Sequence, residues 1–200
     1  MPVSSIEKTK DTLLNFNTFN QKTEIDSVQI SSKSYKRFSN EFWTAKQRQA
    51  NNLHEISYRA CYKPQLPRFF IDLLTKPGDV VYDPFAGRGT TLIEAALLNR
   101  NIISNDINPL SHILTESRLN IPTIQQIEER LNQIHFKESK ADIDLSMFYH
   151  RDTESEIVCL KNSLDTSNFV DNWIKMVSTT RLTGHSAGFF SGYTLPPNQA

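Results

Sequence analysis

One stretch limits what this chain can fold into more than any other: Val80-Val81-Tyr82-Asp83-Pro84-Phe85-Ala86-Gly87-Arg88-Gly89-Thr90-Thr91. The apolar run Val80 to Tyr82 reads as a buried β-strand. It stops at Asp83-Pro84, because proline cannot donate to a sheet ladder. Gly87 and Gly89 make a tight loop, and Thr90 to Leu98 reads as a helix with a threonine capping its first turn. Strand, glycine loop and helix in this order are expected to aim backbone N–H groups at a ligand beyond the strand's carboxyl end.

A second strand, Asn101 to Asn105, ends in Asp106. That acid lies about twenty residues past the loop, where a carboxylate binds ribose hydroxyls. Two common nucleotide ligands fit poorly. A dinucleotide fingerprint wants a third glycine where Leu92 stands, and a phosphate-cradling loop wants a lysine that Gly89-Thr90-Thr91 lacks. Asp83 at the strand tip would repel a pyrophosphate. Acid at the tip suits a cationic ligand free of phosphate, and S-adenosylmethionine, with its sulfonium, α-ammonium and ribose, meets that description.

Two flanking segments extend the pattern. Tyr62-Lys63-Pro64-Gln65-Leu66-Pro67-Arg68-Phe69-Phe70-Ile71 precedes it, and Ser104-Asn105-Asp106-Ile107-Asn108-Pro109 follows it. In this order and spacing the three segments resemble those of the DNA amino-methyltransferases, which modify adenine N6 or cytosine N4. The resemblance is sharp from Phe42 to Leu119. It implies an α/β fold: a Rossmann-like S-adenosylmethionine methyltransferase sheet, incomplete here, with an added helical layer. It implies S-adenosylmethionine as cofactor and double-stranded DNA as partner. It places Lys63, Pro64, Asp83, Pro84, Phe85, Ala86, Gly87, Gly89, Thr90, Thr91, Asp106 and Ile107 at the cofactor, with Lys63-Pro64 towards its methionine end. Ile107 would stack on adenine; burial in the core is the competing reading.

The remaining chain is read by pattern. Residues 1–32 are polar and are expected to form a mobile arm, with a short helix around Ile6 to Phe16. Residues 33–120 form the cofactor-binding half, 121–183 a helical insertion and 184–200 a loop tail. Ser39 to Ala50 reads as a helix capped by Ser39, with Phe42, Trp43 and Ala45 near one face. Pro67 to Leu74, Pro109 to Leu119, Pro122 to Phe136, Glu154 to Leu164 and Asn168 to Leu182 read as further helices. Between Lys33 and Arg68 the only acids are Glu41 and Glu55. Within that basic, aromatic-rich stretch Lys36, Arg37, Lys46 and Arg48 are candidate DNA contacts, because a formal net charge of zero leaves nucleic-acid binding to a local patch.

The two cysteines, Cys61 and Cys159, form no metal motif, and a lone His54 suggests no metal role. No apolar run is long enough to cross a bilayer and no signal-peptide pattern opens the chain, so a cytoplasmic location is expected. The resembled family holds its target amine with an Asp/Asn/Ser-Pro-Pro-aromatic motif. Leu195-Pro196-Pro197-Asn198 shares only its prolines, which leaves Pro196 and Pro197 as weak catalytic candidates. The chain is therefore expected to be the amino-terminal part of a longer methyltransferase, or half of a split enzyme whose catalytic half is a second polypeptide. The alternatives are a catalytically incomplete fragment that binds S-adenosylmethionine and DNA, and an RNA base methyltransferase.

Overall fold

A computed structural model describes residues 3–43, 50–56 and 61–182. Lys46, Arg48, Pro196 and Pro197 lie outside the described residues, as does the rest of the 184–200 tail. The elements run α1 (Val3–Leu14), β1 (Glu24–Ile30), β2 (Lys33–Ser39), a 3-10 turn (Asn52–His54), α2 (Gln65–Leu74), β3 (Val80–Asp83), α3 (Thr90–Leu97), β4 (Asn101–Ser104), α4 (Pro109–Leu119), α5 (Ile124–Asn132), α6 (Arg151–Ser163) and α7 (Phe169–Thr180). This is an α/β chain with two small sheets and many helices. It divides into two compact units, Met1–Ile107 and Asn108–Ala200. Among the described residues no helix is long and apolar enough to cross a membrane.

In the first unit β3 and β4 pair in parallel, Val80 with Asn101 through Asp83 with Ser104, and α3 lies between them in sequence. The ladder runs one step further: the Asn105 N–H donates to the Asp83 carbonyl at 3.0 Å and the Ala86 N–H to the Asn105 carbonyl at 3.1 Å. Leu92, Ile93 and Ala95 of α3 are wholly buried, and the helix packs on β3, β4 and α2. Removing these apolar side chains from water is the main favourable term that holds helix to sheet. Arg100 closes the base of the layer. Its buried guanidinium donates to the Thr75 carbonyl and hydroxyl, both at 2.9 Å, which satisfies the frayed end of α2.

Two expectations about this unit need correction. The 1–32 segment, read as an arm with a short helix around Ile6 to Phe16, carries that helix as α1 but also the strand β1. β1 pairs antiparallel with β2, from Glu24 with Ser39 to Ile30 with Lys33. A carboxylate–guanidinium pair, Asp26 with Arg37, links the strands. The hairpin turns on Ser31, whose φ of 55° is adopted without the Gly or Asn that usually marks such a turn. The helix expected over Ser39 to Ala50 does not begin at Ser39, which is the last residue of β2. Phe42 and Trp43 turn instead into an aromatic cluster with Phe16, Phe69 and Phe70, with ring centroids 5.1 to 6.1 Å apart in the contacts of Phe42 with Phe16 and of Trp43 with Phe69 and Phe70. Offset and edge-on rings at such spacing add to area burial.

The second unit is helical among its described residues. Asn108 caps α4 by accepting from the Leu110 N–H at 3.0 Å, with Pro109 in the first turn. Thr123 and Gln126 form a reciprocal capping box on α5. Asn168 caps α7. α7 packs against α4 and α5, burying Leu114, Val170, Ile174 and Met176. Arg130 of α5 donates to the almost fully buried Asp171 of α7 at 2.6 and 3.0 Å.

Candidate functional site

The expected site residues of the first unit gather at the carboxyl ends of β3 and β4. Asp83 closes β3 and Asp106 stands two residues past the end of β4. Between them Gly87 and Gly89 have φ values of 53° and 78°, a region where a side chain would be strained. Gly89 is the N-cap of α3 and no side chain caps that helix, so the expected threonine cap is not formed. The hydroxyls have other partners. Thr90 Oγ1 accepts from Arg88 Nε at 3.1 Å, and Thr91 Oγ1 shares a hydrogen bond with the Tyr62 hydroxyl.

The loop also differs in where its N–H groups point. Gly87 N–H donates to Asp106 Oδ2 at 2.7 Å and Phe85 N–H to Asp83 Oδ1 at 3.0 Å. Ala86 N–H donates to the Asn105 carbonyl and Gly89 N–H to the Ala86 carbonyl at 2.6 Å. Four loop donors expected to face a ligand are thus satisfied inside the protein. Two of them, Phe85 and Gly87, go to carboxylates, which are strong charged acceptors, and the other two go to backbone carbonyls. What this end of the sheet presents outward is acid and apolar surface. Phe85 is 85% exposed and Ile107 is fully exposed, so Ile107 is not a core residue here.

The upstream segment folds against the same helix. Lys63 uses its carbonyl to accept the Leu66 N–H at 3.1 Å, Pro64 accepts the Arg68 N–H at 3.1 Å, and Pro64 is the N-cap of α2. Lys63 also lines a polar cleft of about 380 Å³ with Asn51, His54, Tyr62 and Arg88. Asp83 and Asp106 are not part of its wall. Burial raises the Tyr62 hydroxyl above its ordinary pKa, its bond to Thr91 lowers it, and the Asp83 charge adds to the rise. Tyr62 therefore stands between the tip of β3 and the first turn of α3 as a neutral phenol at physiological pH.

Sequence reasoning passed over two further residues. Glu94 is almost wholly buried, with His54 Nε2 at 2.8 Å from Oε1 and Arg68 Nη1 at 3.0 Å from Oε2. Burial pushes the Glu94 carboxyl up, and the hydrogen bonds from His54 and Arg68 more than reverse this, so it stays ionised below its ordinary range. Arg88 donates to the carbonyls of His54 at 3.2 Å and Ile56 at 2.7 Å. A lone acid inside Thr90-Thr91-Leu92-Ile93-Glu94-Ala95-Ala96 was the available signal. Of the candidate DNA contacts, Lys36 and Arg37 are consecutive on β2 and so point to opposite faces, with Arg37 engaged by Asp26. Among the described residues no group of His, Cys, Asp and Glu could hold a metal ion.

Comparison with known sequences matches this chain to a family. A sequence model of the DNA methylase family covers residues 3–115. The type II methyltransferase M.MjaII of Methanocaldococcus jannaschii is 34% identical over 74 residues, 37% of this chain and 14% of that protein. M.HindIII of Haemophilus influenzae is 39% identical over 84 residues, 42% of this chain and 25% of that protein. The tRNA (guanine(10)-N2)-dimethyltransferase of M. jannaschii is 38% identical over 63 residues, 31% of this chain and 18% of that protein. The chain thus spans a quarter or less of the length of these curated relatives. No solved structure matches. The strand–loop–helix core, the acids at its strand ends and a match over more than half its length identify the chain as a member of the DNA methylase family.

Proposed function

We propose that this chain carries the S-adenosylmethionine-binding part of a DNA methyltransferase that modifies an exocyclic amine of adenine or cytosine, on a Rossmann-like sheet of which β3–α3–β4 is the described portion. The observation that carries this reading is the internal use of the loop's N–H groups by Asp83 and Asp106. A loop whose donors are closed by carboxylates is a poor seat for phosphate and a good one for a cation bearing a diol. Asp106 would accept ribose hydroxyls while keeping the glycine loop in place. Asp83 supplies negative potential for the ammonium and sulfonium end. Phe85 and Ile107, exposed at the strand ends, offer apolar cover to an adenine ring, and Pro84 and Ala86 shape the loop between them. Gly87 and Gly89 let backbone approach the ligand without a Cβ. Thr90 and Thr91 fix the start of α3, and Lys63 and Pro64 bound the neighbouring cleft.

When bound, S-adenosylmethionine supplies an electrophilic methyl group for transfer to the amine. The protein's part is alignment, completed by an Asp/Asn/Ser-Pro-Pro-aromatic segment that would hold a flipped base. That segment is proposed to come from outside the described residues, in cis or on a second polypeptide, with duplex DNA as the substrate and Lys36, Lys46 and Arg48 as phosphate contacts. Titration calorimetry is expected to give one S-adenosylmethionine site and no heat with NAD; the reverse pattern would overturn the reading. The tRNA methyltransferases among the relatives favour RNA as a second reading. Methyl transfer from labelled cofactor to tRNA but not to duplex DNA would establish it.

A further inference from the structure

One buried carboxylate binds a residue on each side of the Tyr62-Lys63-Pro64 segment in sequence. His54 precedes the segment and binds Glu94 Oε1 at 2.8 Å; Arg68 follows it and donates to Oε2 at 3.0 Å. Thr91, which partners Tyr62, lies three residues before Glu94 and so on the same face of α3. The same helix begins at the glycine loop, where Arg88 reaches back to the carbonyls of His54 and Ile56.

The charge is not explained by packing. Leu92, Ile93 and Ala95 beside it are completely buried, so an apolar residue would suit the site, and exchanging a buried ionic group for a well-packed apolar one is often neutral or stabilising. Nor does His54 need Glu94 merely as one partner of several. Its ring is 4% exposed and Nδ1 has no hydrogen-bond partner among the described residues, so Nε2 to Glu94 is what orients it.

We propose that Glu94 is a positioning residue for cofactor binding: through His54 and Arg68 it holds the Tyr62–Pro64 segment beside the glycine loop, so that both sides of the site are presented together. This rests on the S-adenosylmethionine reading above. A segment ordered in advance costs less to order when the ligand arrives.

Cys61 gives a direct readout, since it is an exposed free thiol immediately before the segment while Cys159 is buried. The test compares the parent chain with Glu94→Gln, which keeps size and removes charge. It adds Arg68→Met, which loosens one anchor at a half-exposed side chain and keeps the test open should Glu94→Gln fold poorly. In Glu94→Gln the Kd for S-adenosylmethionine is expected to rise about tenfold, as for loss of a charged hydrogen bond. Cys61 should react faster with a thiol reagent and lose the protection that cofactor confers on the parent. Arg68→Met should move both readouts the same way by less. A purely structural role would lower thermal stability while leaving Kd and Cys61 protection in the folded fraction unchanged, and that result overturns the proposal. So would parent-like Kd and labelling in both variants. If the parent itself fails to bind, the cofactor reading falls, while faster Cys61 labelling in Glu94→Gln would still support the positioning by Glu94.

Discussion

Asp171→Ala is expected to destabilise the second unit by about 3–5 kcal/mol, the usual consequence of breaking a buried ion pair from one side. Asp171 is 2% exposed and accepts from Arg130 Nε and Nη2 at 2.6 and 3.0 Å and from the Asp165 N–H at 2.7 Å. It also sits in the first turn of α7, where negative charge suits the helix dipole. Alanine would leave the Arg130 guanidinium and the Asp165 N–H to find new partners where little water reaches. Asn in its place keeps some acceptor capacity and should lose less. The chain has two tryptophans, Trp43 in the first unit and Trp173 in α7, so urea unfolding followed by Trp173 fluorescence in a Trp43→Phe background reports on the second unit. A shift below about 1 kcal/mol would mean that the pair contributes no more than an exposed one.

The pH dependence of this effect has a definite sign. Burial raises the Asp171 carboxyl, and the bonds from Arg130 and the Asp165 N–H outweigh it, so its folded pKa lies below the ordinary value. Such a group contributes its full stabilisation above the unfolded value, about 4, and loses it as pH falls through the lower folded value. The parent's stability should fall over that acid window more steeply than that of Asp171→Ala.

The parts of this fold that announce themselves in sequence are those with a strong local cause. β3, the glycine loop, α3 and β4 follow from an apolar run, a proline stop and two glycines, but the strand expected to be buried leaves Val80 and Tyr82 more than half exposed. α4 and α7 begin where Asn108 and Asn168 provide side-chain caps. The β1–β2 hairpin carries no such mark, because Ser31 and Ser32 turn the chain without glycine or asparagine. The expected start of a helix at Ser39 is not found, because Phe42 and Trp43 suit a helix face as well as a loop packed on Phe16, Phe69 and Phe70; residues 44–49 lie outside the described residues. Only long-range contact separates the two.

At the site, the placement of the two acids at the strand ends was legible and their hydrogen bonding was not. Local sequence says that Gly87 and Gly89 bend the chain. It cannot say that Asp106, nineteen residues on, takes the Gly87 N–H, since that bond depends on the parallel register of β3 with β4. Glu94 and His54 were hidden for the same reason. Each looks ordinary alone, one as a helix acid and the other as an isolated histidine, and the meaning lies in their 2.8 Å contact.

Asp106→Ala is expected to weaken S-adenosylmethionine binding by about a hundredfold, or ~2.7 kcal/mol. The loss has two parts. One is the acceptor for the ribose hydroxyls. The other is the anchor for the Gly87 N–H, whose removal lets a loop with left-handed φ values relax and imposes an ordering cost on binding. A cofactor analogue lacking a ribose hydroxyl separates them. In the parent the analogue should bind about tenfold more weakly than S-adenosylmethionine, as for loss of a hydrogen bond to a charged group. In Asp106→Ala the two ligands should bind alike, because the hydroxyl no longer has its partner, and the double-mutant cycle then reports the pairwise contact alone. What remains of the hundredfold loss in both ligands belongs to the loop. An equal analogue penalty in both proteins would move the ribose away from Asp106, and parent-like affinity of Asp106→Ala would remove the carboxylate from the site altogether. Asp83→Ala offers the contrast: it deletes the acceptor of the Phe85 N–H at the other strand end, so its affinity loss should leave the analogue penalty intact. A penalty abolished by Asp83→Ala as well would mean that the two acids act as one unit through the loop rather than on separate ends of the ligand.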